Sequence, residues 1–236
     1  MLKNELIKRS PIRILEKSIH GGLGKGNLGV FTARKGVGKT ACMVHVSVDK
    51  LLANEKVIHI SFAQKPDHIK LWYKEVFQEV AEAYKLENAI ENFEQLIKNR
   101  LILHFCQSEI NLDSVKYNVD QFVKTTDFHP EMLVVDGFSF YNASSDDFAF
   151  WKSFAEEYNI EIWFTATLHR EALAFDDEGI PAPVNSFKDF LSVIIMLNPT
   201  SSFIDLNLLK DHDIKDLEKL MLKLDPKTLL IANHRV

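Results

Sequence analysis

The chain has 236 residues, 46% of them hydrophobic and 26% charged, with a formal net charge of −5. That length and apolar content suit one large core, and so weak an acidic balance excludes capture of a polyanion by bulk charge. Two cysteines, Cys42 and Cys106, exclude a disulfide framework or a metal-binding spacing, and both read as buried small hydrophobes. The opening "MLKNELIKRSP" lacks the apolar stretch of a secretory leader, and the strongest apolar run, "FLSVIIML", is too short to cross a bilayer. The expectation is a cytoplasmic chain with no membrane partner.

Residues 1–20 read as a lead-in segment. The apolar run Leu28 to Thr32 then suits a buried strand, and it feeds directly into Ala33-Arg34-Lys35-Gly36-Val37-Gly38-Lys39-Thr40. This octet fits the phosphate-binding loop pattern, with Ala33 where the first glycine usually stands. Gly36 and Gly38 permit backbone angles closed to other residues. From Lys39 to Leu52, Ala41, Val44, Val48 and Leu51 recur at helical spacing, so a helix N-terminus points its free N–H groups at the loop. In that setting residues 33–41 hold a nucleotide's phosphates, Lys39 reaches the terminal ones, and Thr40 holds Mg²⁺.

Strand-like and helical patterns alternate from there. "VIHISF" (57–62) precedes a long helical stretch through Leu71, Val76, Val80 and Tyr84. "LILHFC" (101–106) precedes a helix around 115–123, and "MLVVD" (132–136) one at 146–158. "IEIWFTA" (160–166) and "LSVIIML" (191–197) complete the series. The alternation implies an α/β fold with a mainly parallel, doubly wound sheet. Beyond Leu197, "FIDLNLL" and "TLLIA" imply an antiparallel C-terminal extension, with an amphipathic helix "KDLEKLMLKL" between them. No repeat, low-complexity segment or linker divides the chain, so residues 1–236 read as one domain. Ligands gather at the carboxyl ends of such strands, where Asp136 closes "MLVVD" as a second Mg²⁺ ligand.

Seven of the nine glycines lie between Gly21 and Gly38, and the lead-in "GGLGKGNLGVF" places five of them before the loop. This lead-in with its phosphate loop resembles the RecA-type P-loop ATPases, in the branch of the DnaB helicases, RadA and KaiC. With "VIHISF", Asp136, "WFTATLHR" and "LNLLKDH", the resemblance covers most of the chain. It implies a RecA-like fold, ATP and Mg²⁺ as cofactors, and a homo-oligomer with ATP at subunit boundaries. A rival likeness, to the ParA/MinD ATPases, rests on "RKGVGKT" followed by "VIHISF". Against it, Arg34 stands at the signature-lysine position, Lys35 replaces the next glycine, and Ser61-Phe62 lack the expected aspartates.

The resemblance also implies what is missing. In the KaiC/DnaB branch the second strand leads to a glutamate that acts as general base; here the matching positions are Ala63 and Gln64, which cannot take a proton. The polar sensor position holds Thr167. In the motif that reaches a neighbour's γ-phosphate, Lys210 is kept but His212 replaces arginine. Glu161 starts a strand at the wrong end of the sheet to substitute, and the "DDEG" run at 176–179 reads as a solvated loop. The expectation is an ATP-binding module with slow or absent hydrolysis, serving assembly or regulation, like the single-domain KaiC-like proteins. The alternative is an ATPase of the DnaB/RadA type acting with DNA. Nucleic acid is disfavoured because "FYNASSDDF" and "REALAFDDEGIPAPVNSF" are acidic on balance. Phe140, Tyr141 and Phe175 within them read as packing rather than base-stacking residues.

Overall fold

The computed structural model describes residue 8 and residues 10–106, 111–168, 174–217 and 219–233. Six parallel strands form the centre of the sheet: β1 (Leu28–Arg34), β2 (Val57–Ser61), β3 (Arg100–His104), β4 (Met132–Asp136), β5 (Glu161–Leu168) and β6 (Leu191–Pro199). Three antiparallel strands extend it: β7 (Ile204–Asp211), β8 (Leu222–Leu224) and β9 (Ile231–Asn233). The order across the sheet is β3-β2-β4-β5-β1-β6-β7-β8-β9. This is an α/β fold with the mainly parallel sheet and antiparallel extension that the alternation implied.

Both faces are covered, which is why β1, β2 and β4 read as nearly unbroken apolar runs. On one face pack α1 (Pro11–Ser18), α2 (Lys39–Leu52), α3 (Pro66–Ala83) and α4 (Ala89–Lys98). The other carries α5 (Leu112–Thr126) and α6 (Ser145–Tyr158), with an aromatic cluster of Phe138, Phe140, Phe148, Trp151 and Phe164. Phe140 is a packing residue there, as expected; Tyr141 and Phe175 are exposed. Helix α6 starts on a capping box in which Ser144 and Asp147 satisfy each other's backbone N–H groups.

Several local expectations are corrected. None of the described residues within 215–224 is helical, and Leu222–Leu224 form β8 instead. Helix α3 buries Ile69, Tyr73, Val76, Phe77 and Val80, while Leu71 faces solvent. Cys42 is buried but Cys106 is exposed, because it follows β3 at the open edge of the sheet. Helices α1 and α4 were not anticipated. The first turns the lead-in into core, burying Ile12 and Leu15. No helix among the described residues is long and apolar enough to cross a membrane.

One glycine of the lead-in has a packing reason. Gly29 lies beside Trp163 of β5, and a Cβ built on it would meet two indole carbons at 2.8 Å and Leu23 Cδ2 at 3.1 Å. The indole cannot retreat, because Phe31 stacks on it at 5.1 Å. An alanine in an unobstructed strand would stabilise over glycine by about 0.5–1 kcal/mol. Gly29→Ala should instead destabilise by about 1–3 kcal/mol, read as a lower urea midpoint with an unchanged slope.

Candidate functional site

The site is built at the carboxyl ends of β1, β2, β4 and β5. Strand β1 ends at Arg34, the chain turns through Lys35 to Gly38, and α2 begins at Lys39. Gly36 has φ +82 and Gly38 φ +114, left-handed values that a side chain would strain. Nothing lies within 4 Å of a Cβ built on Gly36, so that peptide edge is open to an approaching ligand. At Gly38 the same Cβ would lie 2.5 Å from Leu224 Cδ2. Gly38 is the N-cap of α2 and offers no side-chain cap, so the first N–H groups of the helix are left for another acceptor.

Lys39 is buried, and its Nζ donates to the carbonyls of Ala33 and Arg34, each at 3.1 Å. Burial pulls its ammonium down to about 8, with the charge of Asp136 partly opposing. No carboxylate is paired with it among the described residues, so the loop holds a desolvated cation without a counter-anion. Thr40 Oγ1 lies 3.3 and 3.4 Å from the two Asp136 oxygens. Thr165 on β5 donates to Asp136 Oδ1 at 2.6 Å and accepts from the Gly137 N–H at 3.1 Å, fixing the carboxylate.

These groups share a cleft of about 360 Å³. It is lined by Lys35, Gly36, Gly38, Lys39, Thr40 and Ala41 on one side. Ala63, Gln64, Asp136 and Thr167 line the other. Ala33 and Arg34, which end β1, and Val37 of the turn lie outside that lining. Trp72, Gly137 and Thr165 complete the cleft and were missed from sequence. Asp136 is the one carboxylate among its described lining residues. Gln64 presents a buried side-chain oxygen with no hydrogen-bond partner. Gly137 has φ +79 and abuts Ala63, whose Cβ stands 2.5 Å from where a Cβ of residue 137 would be. A small residue after Asp136 therefore keeps Ala63 at the cleft floor.

Lys210 and His212 are not brought to this cleft. Both lie at the far end of β7, whose Asp211 pairs with Val193 near the start of β6. Lys210 Nζ donates to the Lys188 carbonyl at 2.6 Å. His212 has Asp211 Oδ1 at 2.6 Å on one ring nitrogen and the Leu23 carbonyl at 3.1 Å on the other. Glu161 stands at the start of β5, opposite the cleft, as its sequence position implied. The acidic turn is organised by Asp176, which accepts from the N–H groups of Glu178 and Ile180 and pairs with Lys188. Residues 170–173 of the second acidic segment lie outside the described residues.

No known family model matches the chain, and no curated protein is significantly similar to it. The chemistry of the cleft therefore has to be judged on its own atoms. An open glycine turn, unfilled helix N–H groups and an unpaired buried lysine suit a polyphosphate. The close hydroxyl and carboxylate of Thr40 and Asp136 suit a hard divalent cation.

The Lys39 environment makes this testable. Without a ligand, Lys39 is charged below about pH 8 and loses its proton above it. A bound polyanion keeps it charged to higher pH, so binding above that point must be accompanied by proton uptake. The part of the affinity for inorganic triphosphate that depends on Lys39, taken as the difference from Lys39→Met, should be flat below about pH 8 and fall by up to about tenfold per unit above it. Calorimetry in buffers of different ionisation enthalpy would register the uptake, and Lys39→Met should remove the Lys39 share of it.

Proposed function

We propose that this chain is an ATP-binding P-loop protein of the RecA type, close to the KaiC branch, whose hydrolysis is weak or absent. The observation that carries the reading is the convergence of Gly36, Gly38, Lys39, Thr40 and Asp136 on a cleft with no second carboxylate among its described lining residues. Backbone N–H groups of the loop and Lys39 would hold the β- and γ-phosphates, and Thr40 and Asp136 the Mg²⁺ ion. The metal would neutralise phosphate charge and orient the terminal group. Thr165 keeps Asp136 aimed at that position through its 2.6 Å hydrogen bond.

Turnover needs more than a cradle. A positioned base is worth about 10²–10⁴ in rate. Ala63 and Gln64 face the cleft where it would stand, and neither can accept a proton. Such a module acts through the ATP-bound state itself, as a switch for self-association or for a protein partner. The contacts of Lys210 and His212 within their own chain leave open only a role that breaks them on assembly. An ATPase working on DNA is the weaker reading: Phe140, one of the three aromatics available for base stacking, is buried in the core.

Three measurements test this. Calorimetry should detect ATP·Mg²⁺ binding, and Lys39→Ala should weaken it at least about tenfold through loss of a charged contact. Asp136→Asn should reduce Mg²⁺-dependent binding and spare metal-free binding. Phosphate release by the unchanged protein should be slow with or without single-stranded DNA, and Ala63→Glu should raise it by about tenfold or more. Rapid release that survives bulky apolar residues at positions 63 and 64 would reject the proposal. Light scattering with and without ATP reads the self-association.

A further inference from the structure

A second cavity of about 360 Å³ opens at the amino ends of the central strands, between α1, the glycine turn at 21–25 and the start of β5. Its floor is apolar, formed by Ile12, Leu15, Ile19 and Trp163, all buried. Its wall is acidic. Among the described lining residues, Glu16, Glu55, Glu131 and Glu161 face only Lys25 and Lys50 as cations.

The positive charge is already divided. Lys50 Nζ lies 3.1 Å from Glu161, 3.4 Å from Glu55 and 3.9 Å from Glu16, so one ammonium serves three carboxylates. Lys25 is taken by Glu131 at 2.5 Å. Arg13, outside the cavity lining, is shared between Glu16 and the buried Asp49. Glu161 is only 7% exposed, and its Oε1 pairs with Lys50 at 3.1 Å, the one ion-pair partner it has among the described residues and one it shares with two other carboxylates. Burial, outweighing Lys50, lifts the Glu161 carboxyl above its ordinary range, and burial does the same at Glu16.

We propose that this cavity binds a small aliphatic ammonium ion, a mono- or diamine, with its charged head at Glu161 and its carbon chain on the Trp163 floor. An ammonium donates to the Glu161 carboxylate, whose paired Lys50 is divided among three acids, and its alkyl stem covers the apolar floor. A bare metal ion would leave the apolar floor uncovered, and no group of three or more metal-ligating side chains suited to one exists among the described residues. An anion would meet the acidic wall. The cavity volume suits a ligand of a few heavy atoms. The site lies at the opposite end of β5 from Thr167, so it stands independently of the nucleotide reading.

The test is calorimetric titration with 1,4-diaminobutane and n-butylammonium, with butanol as the uncharged control. Both amines should bind saturably at low salt and about tenfold more weakly at about 0.5 M salt, while butanol does not bind. Glu161→Gln, which keeps the shape and removes the charge, should weaken the amines about tenfold. Glu55→Gln at the more open rim should act in the same direction, and it decides the matter if the first variant does not fold. Absence of saturable amine binding overturns the proposal. So does butanol binding as tightly as the amines, or unchanged amine affinity in a folded Glu161→Gln or Glu55→Gln protein.

Discussion

Gly38 has room on its α-carbon for a hydrogen and nothing larger, because Leu224 of β8 closes over it. The turn and the start of α2 are set by that contact. The left-handed backbone at Gly38 sets where the loop ends and where α2 begins. The start of α2 fixes Lys39 beneath the carbonyls of Ala33 and Arg34, and Thr40 opposite Asp136. Leu224 reaches the loop only because β8 pairs with β7 and β7 with β6, so the antiparallel extension is part of the loop's support. Further along α2, the His45 ring nitrogen Nδ1 accepts the Ile231 N–H of β9 at 2.9 Å. Burial pushes that imidazole down to about 4, so it stays neutral and keeps its acceptor.

The sheet also separates charge along its strands. At the carboxyl ends the described groups include Lys35, Lys39 and open backbone N–H groups, with Asp136 as the counterweight. At the amino ends carboxylates outnumber ammonium groups around the start of β5. Strand β5 spans both, with Glu161 as its first residue and Thr165 and Thr167 near its last. Its middle is apolar and buried on both faces, so the two regions are insulated from each other by low-dielectric core rather than joined by a polar path.

How much of this the sequence disclosed follows from the range of each signal. The glycine turn between β1 and α2 was legible because its glycines, lysine and threonine lie within eight consecutive positions. Asp136 was legible because a buried apolar run ending in an acid marks a strand end. Thr165 and Trp72 were not: each reaches the cleft from an element placed by long-range packing, and neither has a distinctive neighbour in the chain. The segment 215–224 was misread because two periods overlap in it. Leu217, Leu220, Met221 and Leu224 repeat as a helical face, while Leu220, Leu222 and Leu224 alternate as a strand. The free edge of β7 decided the contest, burying the alternating set and leaving Met221 exposed. Helix α4 escaped notice because its only fully buried residue is Leu96. What the sequence resembled, a RecA-type ATPase, it suggested through motifs; the fold supports the coarser α/β architecture.

The bond between His45 and Ile231 spans 186 positions. A chain emerging from a ribosome at about 5–20 residues per second therefore waits on the order of ten to forty seconds between making the loop's helix and making the strand that braces it. Closure over such a distance carries a large entropic cost and forms late in folding. During that interval the loop, β1 and α2 can assemble with β5 and β6, yet Gly38 has no Leu224 above it. The cleft is thus among the last features to mature, and an unfinished chain carries a sheet edge at β6 open to wrong pairing.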